Sequence, residues 1–389
     1  MTNHTADEEF LKRALELARR GIGLVSPNPH VGAIVVDSAG KIAGSGTYTF
    51  DGVKHAEVLA LEQAGAKARG GTLYINLEPH AHQGRTPPCT DALIGAGIQR
   101  VVACMADPNP KVSGRGFEKL RASGVCVEVG GLEEEARRLN EAFARYVRHG
   151  VPLVTLKAAM TLDGKIAPPP NAAARKESGV PLGGWITGEV ARAHVQEQRR
   201  QNDAILVGIG TILADDPLLT DRSGKARRRP LLRVILDSDL RLPLESRLVK
   251  TIARNDAGSD VLVFCSHPDE NKKRALLDLG TRVEQLPCSP SNGRPEIRTA
   301  LGRLGQLQIT SLLIEGGSTI NGEALAAGVV DKLFLYYAPK IMGAAGAVPL
   351  AGDSAFGDRM GGVQAKQIHL HRIGEDLAVE GYFRDPYLD

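Results

Sequence analysis

Three short stretches hold residues of metal-ligand type: His55-Ala56-Glu57, Glu78-Pro79-His80 and Pro87-Pro88-Cys89. A hydrolytic Zn2+ takes three nitrogen or sulfur ligands and leaves one position for water, whose pKa falls toward neutrality. His55, His80 and Cys89 supply that number. Glu57 matches the carboxylate that zinc enzymes use to shuttle protons while removing an amino group from a base, without itself binding the metal. Read singly, His55, His80 and His82 are ordinary loop histidines and Cys89 a small buried apolar residue. Their combination, with a helix start behind His55 and behind Cys89, is what points to zinc, and His82 could ligate in place of His80. A helix N-terminus beneath Cys89 would favour its thiolate, as would the metal.

A second constellation lies in Leu313-Ile314-Glu315-Gly316-Gly317-Ser318-Thr319, an apolar run entering two glycines and then a helix pattern. Backbone N–H groups and the helix dipole there suit a phosphate. Taken alone, the motif is equally a tight turn with a Ser or Thr cap. Gly208-Ile209-Gly210 is weaker, because a Gly-x-Gly-x-x-Gly fingerprint would need glycine where Leu213 stands.

These residues need elements to place them. Periodicity predicts a helix over Asp7–Arg20, strands over Val31–Val36 and Lys41–Ser45, a helix over Ala56–Ala68 and a strand over Thr72–Leu77. A short helix from Thr90, a strand Arg100–Met105, a helix Arg115–Ala122, a strand Val125–Val129 and a charged helix Leu132–Arg148 follow. His149-Gly150-Val151-Pro152 breaks the pattern and marks a boundary between residues 1–149 and 150–389. The second half reads as helices Gly188–Gln201, Asn271–Leu279 and Thr319–Ala327 among strands Leu153–Lys157, Ala204–Val207, Leu232–Leu236, Val261–Phe264, Ser311–Ile314 and Lys332–Ala338. Both halves are therefore α/β. Pro168–Val180 and Arg254–Asp260 read as inserted loops, and Lys225–Arg229 as a solvated basic loop.

Composition narrows the class. The chain has 389 residues, 42% of them hydrophobic, which suits two or three domains at roughly 150 residues each. No apolar run reaches the roughly 18–20 residues of a membrane helix, and the polar, acidic start does not resemble a signal peptide. Five widely spaced cysteines argue against a disulfide framework and for a cytoplasmic protein. A net charge of +3 and 4% aromatics argue against a nucleic-acid partner, including the case of a nucleic-acid base deaminase with an accessory domain.

Ser26-Pro27-Asn28-Pro29, His55-Ala56-Glu57-Val58, Gly84-Arg85-Thr86-Pro87-Pro88-Cys89 and Asp107-Pro108-Asn109-Pro110 resemble the bifunctional riboflavin-biosynthesis deaminase/reductase family. So do Lys157 through Ile166, Trp185-Ile186-Thr187-Gly188, Leu213 through Thr220 and Ile314-Glu315-Gly316-Gly317. The resemblance covers nearly the whole chain. It implies a cytidine-deaminase-like layer sandwich followed by a dihydrofolate-reductase-like domain, with zinc and NADPH as cofactors, a small phosphorylated pyrimidine as substrate and a homo-oligomeric state. Carried over by position, Ala159, Trp185, Thr211, Asp215, Ser238 and the loop Gly317, Ser318, Thr319, Ile320, Asn321, Gly322 and Glu323 should face the cofactor. Asn28, Gly183, Arg199, Leu219, Arg222 and Glu315 should face substrate, with Arg199 and Arg222 offering their planar forks to its phosphate.

The chain departs from the family pattern at three places. His80 stands where the family has a cysteine ligand, Tyr48 where it has histidine in a Gly-x-Gly-x-His run, and Gly183 where it has a substrate-contacting serine. An imidazole replacing a thiolate raises the charge of the ligated zinc by one and gives up a soft ligand. The first two departures motivate an alternative in which only the reductase half works.

Overall fold

Helices and strands alternate along the chain because apolar residues switch between a helical period and short, fully buried runs such as Gly32–Val36 and Leu232–Leu236. The computed structural model describes residues 4–84, 87–169, 184–255, 258–290, 292–343, 345–352 and 362–388. Its contacts divide the chain into two units that meet in sequence at His149 and Gly150.

In the first unit the order is α1 (His4–Arg19), β1 (Gly32–Val36), β2 (Ile42–Thr47), α2 (Ala56–Ala64), β3 (Thr72–Ile75), α3 (Cys89–Ala96), β4 (Arg100–Ala103), α4 (Arg115–Ala122), β5 (Cys126–Val129) and α5 (Glu133–His149). The strands form one sheet in the order β2-β1-β3-β4-β5; β1 runs antiparallel to β2 and β3, and β3, β4 and β5 are parallel. The helix predicted to reach Ala68 ends at Ala64 and continues as a 3-10 turn, Gly65–Ala68. Helix α2 presses on β2 so closely that a Cβ at Gly44 would lie 2.1 Å from Ala60 O, and one at Gly46 2.0 Å from Ala56 O. Only glycine fits at either position.

The second unit contains β6 (Leu153–Thr161), β7 (Lys165–Ala167), α6 (Glu189–Gln201), β8 (Ala204–Gly208), α7 (Ile209–Asp215), β9 (Leu232–Leu236), α8 (Arg247–Lys250), β10 (Arg254–Asn255), β11 (Gly258–Ser259), β12 (Val261–Cys265), α9 (Glu270–Asp278), β13 (Arg282–Gln285), α10 (Ile297–Gln306), β14 (Ser311–Ile314), α11 (Ser318–Ala326), β15 (Lys332–Ala338), β16 (Val348–Pro349), β17 (Lys366–Ile373) and β18 (Asp376–Tyr382). Its main sheet has the order β13-β12-β9-β8-β14-β6-β15-β18-β17. The first seven strands of that order are parallel and the last two pair antiparallel. Ligands of such sheets dock at the carboxyl ends of the strands where the order reverses. The ends of β8, β14 and β6 make that place.

Two stretches differ from their expected form. The stretch Arg254–Asp260 holds a small hairpin, with β10 paired to β11. Lys225–Arg229 is not a solvated run: Arg227 donates to the carbonyls of Arg199, Arg200 and Asn202 and to Asp221, closing the end of α6 where carbonyls lack helical partners. Gly183 and most of Pro168–Val180 lie outside the described residues.

Candidate active sites

His55 caps α2, placing Glu57 in its first turn, and Cys89 opens α3. Ligand atoms of His55, Glu57, His80 and Cys89 all lie within 4.8 Å of one another. Cys89 Sγ is 3.2 Å from His55 Nδ1, and the His55 and His80 ring centroids are 4.5 Å apart. Glu57 and Cys89 are buried, and burial, reinforced by the Glu57 carboxylate, pushes the Cys89 thiol well above its ordinary value. Two imidazoles, a sulfur and a carboxylate with a buried Oε2 that makes no hydrogen bond among the described residues form a donor set that fits zinc. His82 is exposed, 5.2 Å from His80 ring to ring, and outside the cluster.

The loops behind this cluster are tied to the sheet. Glu78, buried before Pro79 and His80, accepts from the backbone N–H groups of Asp107, Gly114 and Gly116 at 2.7 to 2.9 Å. On the other side, fully buried Asn76 and Asn140 both bond the backbone of His30, fixing the loop that carries Asn28. Asn28 Nδ2 donates to the Tyr48 hydroxyl at 2.5 Å. Tyr48 is buried edge-on to His55, so the residue that departs from the family pattern lies between the metal cluster and a residue expected to face substrate.

In the second unit, Thr211 and Asp215 follow β8, Ser238 follows β9 and Gly317 through Glu323 follow β14, all at one end of the parallel strands. Ala159 lies on β6, and Lys340, just past β15, donates to Trp185 O. The turns after β8 and β14 face each other: a Cβ at Gly317 would come 3.9 Å from Thr211 Oγ1, while one at Gly316 would sit 2.9 Å from Ile320 Cβ. The buried Ser318 Oγ and Asn321 Oδ1 make no hydrogen bond among the described residues, and Gly317 caps α11. A dinucleotide phosphate fits the Ser318 hydroxyl and the backbone N–H groups at this helix N-terminus, whereas Asn321 Oδ1 can only accept. Ile320 and Gly322 are packed into the unit, and Glu323 pairs with Asn292 and Arg294.

Arg199 is placed differently from expectation. Its Nε and Nη2 donate to Glu315 at 2.7 and 3.1 Å and its Nη1 to Thr220 O at 2.9 Å, so three of its five N–H groups are already engaged. Burial would raise the Glu315 carboxyl, yet Arg199 and Lys157 outweigh it and hold it at about 2. Arg222 is exposed and in no ion pair among the described residues; burial of part of its chain, then Arg199 and Arg247, lower its pKa. Leu219 is buried with a φ of 54°. Lys157, not among the expected site residues, places its Nζ 3.4 Å from Glu315 Oε2; a lysine on an apolar strand is the one signal of it in the sequence.

Residues 4–105 match the family model described as the cytidine and deoxycytidylate deaminase zinc-binding region, and residues 152–379 match the RibD C-terminal domain. A cytidine-deaminase-like domain joined to a dihydrofolate-reductase-like domain defines a bifunctional deaminase and reductase that uses zinc and NADPH. The chain is 39% identical over 373 residues to the riboflavin biosynthesis protein RibD of Aquifex aeolicus, covering 96% of this chain and 97% of that one. The crystal form 1 structure of Acinetobacter baumannii RibD matches with a TM-score of 0.81 at 34% identity, covering 98% and 99% of the two chains. A diaminohydroxyphosphoribosylaminopyrimidine deaminase/5-amino-6-(5-phosphoribosylamino)uracil reductase from Thermotoga maritima matches with a TM-score of 0.78 at 37% identity, with the same coverage. The chain belongs to the RibD family of riboflavin biosynthesis proteins.

Proposed function

We propose that the first unit removes an amino group from diaminohydroxyphosphoribosylaminopyrimidine and that the second reduces the sugar of 5-amino-6-(5-phosphoribosylamino)uracil; the Thermotoga relative is named as a deaminase and a reductase of these two compounds. The convergence of His55, Glu57, His80 and Cys89 within 4.8 Å carries the deaminase reading against the reductase-only alternative. His55, His80 and Cys89 would hold zinc, which when bound acidifies a water at neutral pH. Glu57, with its unused oxygen, moves a proton from the nucleophile to the departing amine. Asn28, held by Tyr48, binds the substrate beside that carboxylate.

In the second unit NADPH supplies hydride, bound over the turns after β8, β9 and β14. The chain's own part is positioning and charge. Lys157, 3.4 Å from Glu315 and 5.8 Å above the Tyr336 ring centroid, is the donor for charge developing on the sugar oxygen. Arg222, exposed and beside Arg247, takes the phosphate contact expected of Arg199. The working form is a cytoplasmic homo-oligomer. β17 is the outer strand of the sheet, and Ile368, Leu370 and Leu377 are exposed on β17 and β18, a surface a second copy would cover. Among the described residues no helix is long and apolar enough to cross a membrane.

Ammonia release by zinc-loaded protein, followed by consumption of NADPH on the deaminated product, tests both halves. Reduction without ammonia release would leave the reductase-only reading.

A further inference from the structure

The turn carrying Leu219 is held from behind by residues outside both candidate sites. Arg233, on β9, has a fully buried side chain, and its Nη2 donates to both oxygens of Asp260, at 2.9 and 2.8 Å. Its Nη1 reaches across to Leu218 O at 3.1 Å, while the two nitrogens also donate to the Thr251 hydroxyl and carbonyl. Two residues further along, Thr220 O accepts from Arg199, itself anchored on Glu315. The carbonyls on both sides of Leu219 are therefore each fixed by an arginine paired to its own buried carboxylate. Between them Leu219 adopts the left-handed conformation, which strains a non-glycine residue and persists only where neighbours dictate it. Its side chain is in the core, and its own N–H and C=O make no hydrogen bond among the described residues.

We infer that Arg233 and Asp260 are positioning residues for the reduction: together with Arg199 they form a clamp that presents the Leu219 backbone to the pyrimidine substrate. This rests on the reading, proposed above, that the turn through Leu219 and Arg222 faces substrate. A fully buried guanidinium is costly, and a strand position such as 233 would be filled as well by an apolar residue. Of the contacts that an apolar residue could not make, the one to Leu218 O is the one that reaches the turn before Leu219.

The test compares Arg233→Lys and Asp260→Asn with Arg222→Ala and the parent, measuring KM and kcat for reduction and the melting-temperature shift given by NADPH. The clamp predicts that KM for the pyrimidine rises by about tenfold in Arg233→Lys and Asp260→Asn, with kcat less affected and the NADPH shift retained. A parental KM in those variants, or a loss of NADPH shift in proportion to loss of reduction, would overturn it as a mere fold support. An unchanged KM in Arg222→Ala would instead overturn the substrate reading, and the clamp with it. Should Arg233→Lys fold poorly, Leu219→Gly gives a second route, since glycine adopts the left-handed conformation without strain. The KM rise caused by Asp260→Asn should then be smaller in the Leu219→Gly background, and simple multiplication of the two effects would count against the clamp.

Discussion

Asn28 gives its side-chain amide to the Tyr48 hydroxyl at 2.5 Å, and the same phenol stands edge-on to His55 with ring centroids 5.4 Å apart. One residue thus steadies both a proposed substrate contact and a proposed metal ligand. Tyr48→Phe keeps the ring against His55 and removes the partner of Asn28. Zinc content should stay at the parental level while KM for deamination rises about tenfold, as expected when a binding contact is lost with little change in kcat. Metal analysis beside steady-state ammonia release separates the two outcomes.

Glu57→Gln should cut ammonia release by about 10²–10⁴-fold, the range for loss of a general acid–base, with zinc retained and NADPH-dependent reduction of the deaminated product unaffected. If deamination persists, another group moves the proton.

His80→Cys restores a soft thiolate where this chain carries an imidazole, and it should slow the loss of zinc to a chelator. His80→Ala should lose zinc and deamination together, whereas His82→Ala should keep both, because His82 lies outside the cluster. Metal content after timed chelation checks all three.

The two units should respond to acid in opposite ways. Glu315 ionises at about 2 against an ordinary 4.5 because Arg199 and Lys157 override its burial. Its contribution to stability is present above about pH 4.5 and is lost as pH falls through about 2. Asp107 is raised by burial, with Glu78 adding to it, from 3.8 to about 6. The stability it contributes is full below pH 3.8 and disappears as pH rises through about 6. Trp185, the chain's single tryptophan, reports the second unit in denaturant titrations, where Glu315→Gln should remove that acid-sensitive contribution. Asp107→Asn should flatten the change in heat resistance of deamination between pH 4 and pH 6.

Three members of the metal cluster were legible in the sequence because they sit at or beside a helix start, and helix starts carry local signals: His55 before the apolar run of α2 with Glu57 in its first turn, and Cys89 after two prolines; His80 lies in the loop after β3. Most strand positions were legible for a related reason, being short apolar runs buried on both faces. Beyond Ala338, β17 and β18 carry no such signal. Most of β17 is exposed, and its short alternation puts the apolar Ile368 and Leu370 on the exposed face. Lys157 and Arg233 were missed because their meaning depends on Glu315 and Asp260. Glu315 is 158 positions from Lys157 along the chain, and no local pattern connects such pairs. The pairing of Arg199 with Glu315 was hidden for the same reason, since the carboxylate lies 116 positions away.

The contact of β2 with α2 bears on how a mutational survey would read. Gly44 and Gly46 reach neither the metal cluster nor any proposed substrate contact, yet any side chain there would drive into the carbonyls of Ala60 and Ala56 and lift the helix whose first turn carries His55 and Glu57. A library scored only by ammonia release would rank these two glycines with the acid–base carboxylate, and parallel zinc measurements would set them apart: Gly44→Ala should shed the metal that Glu57→Gln keeps.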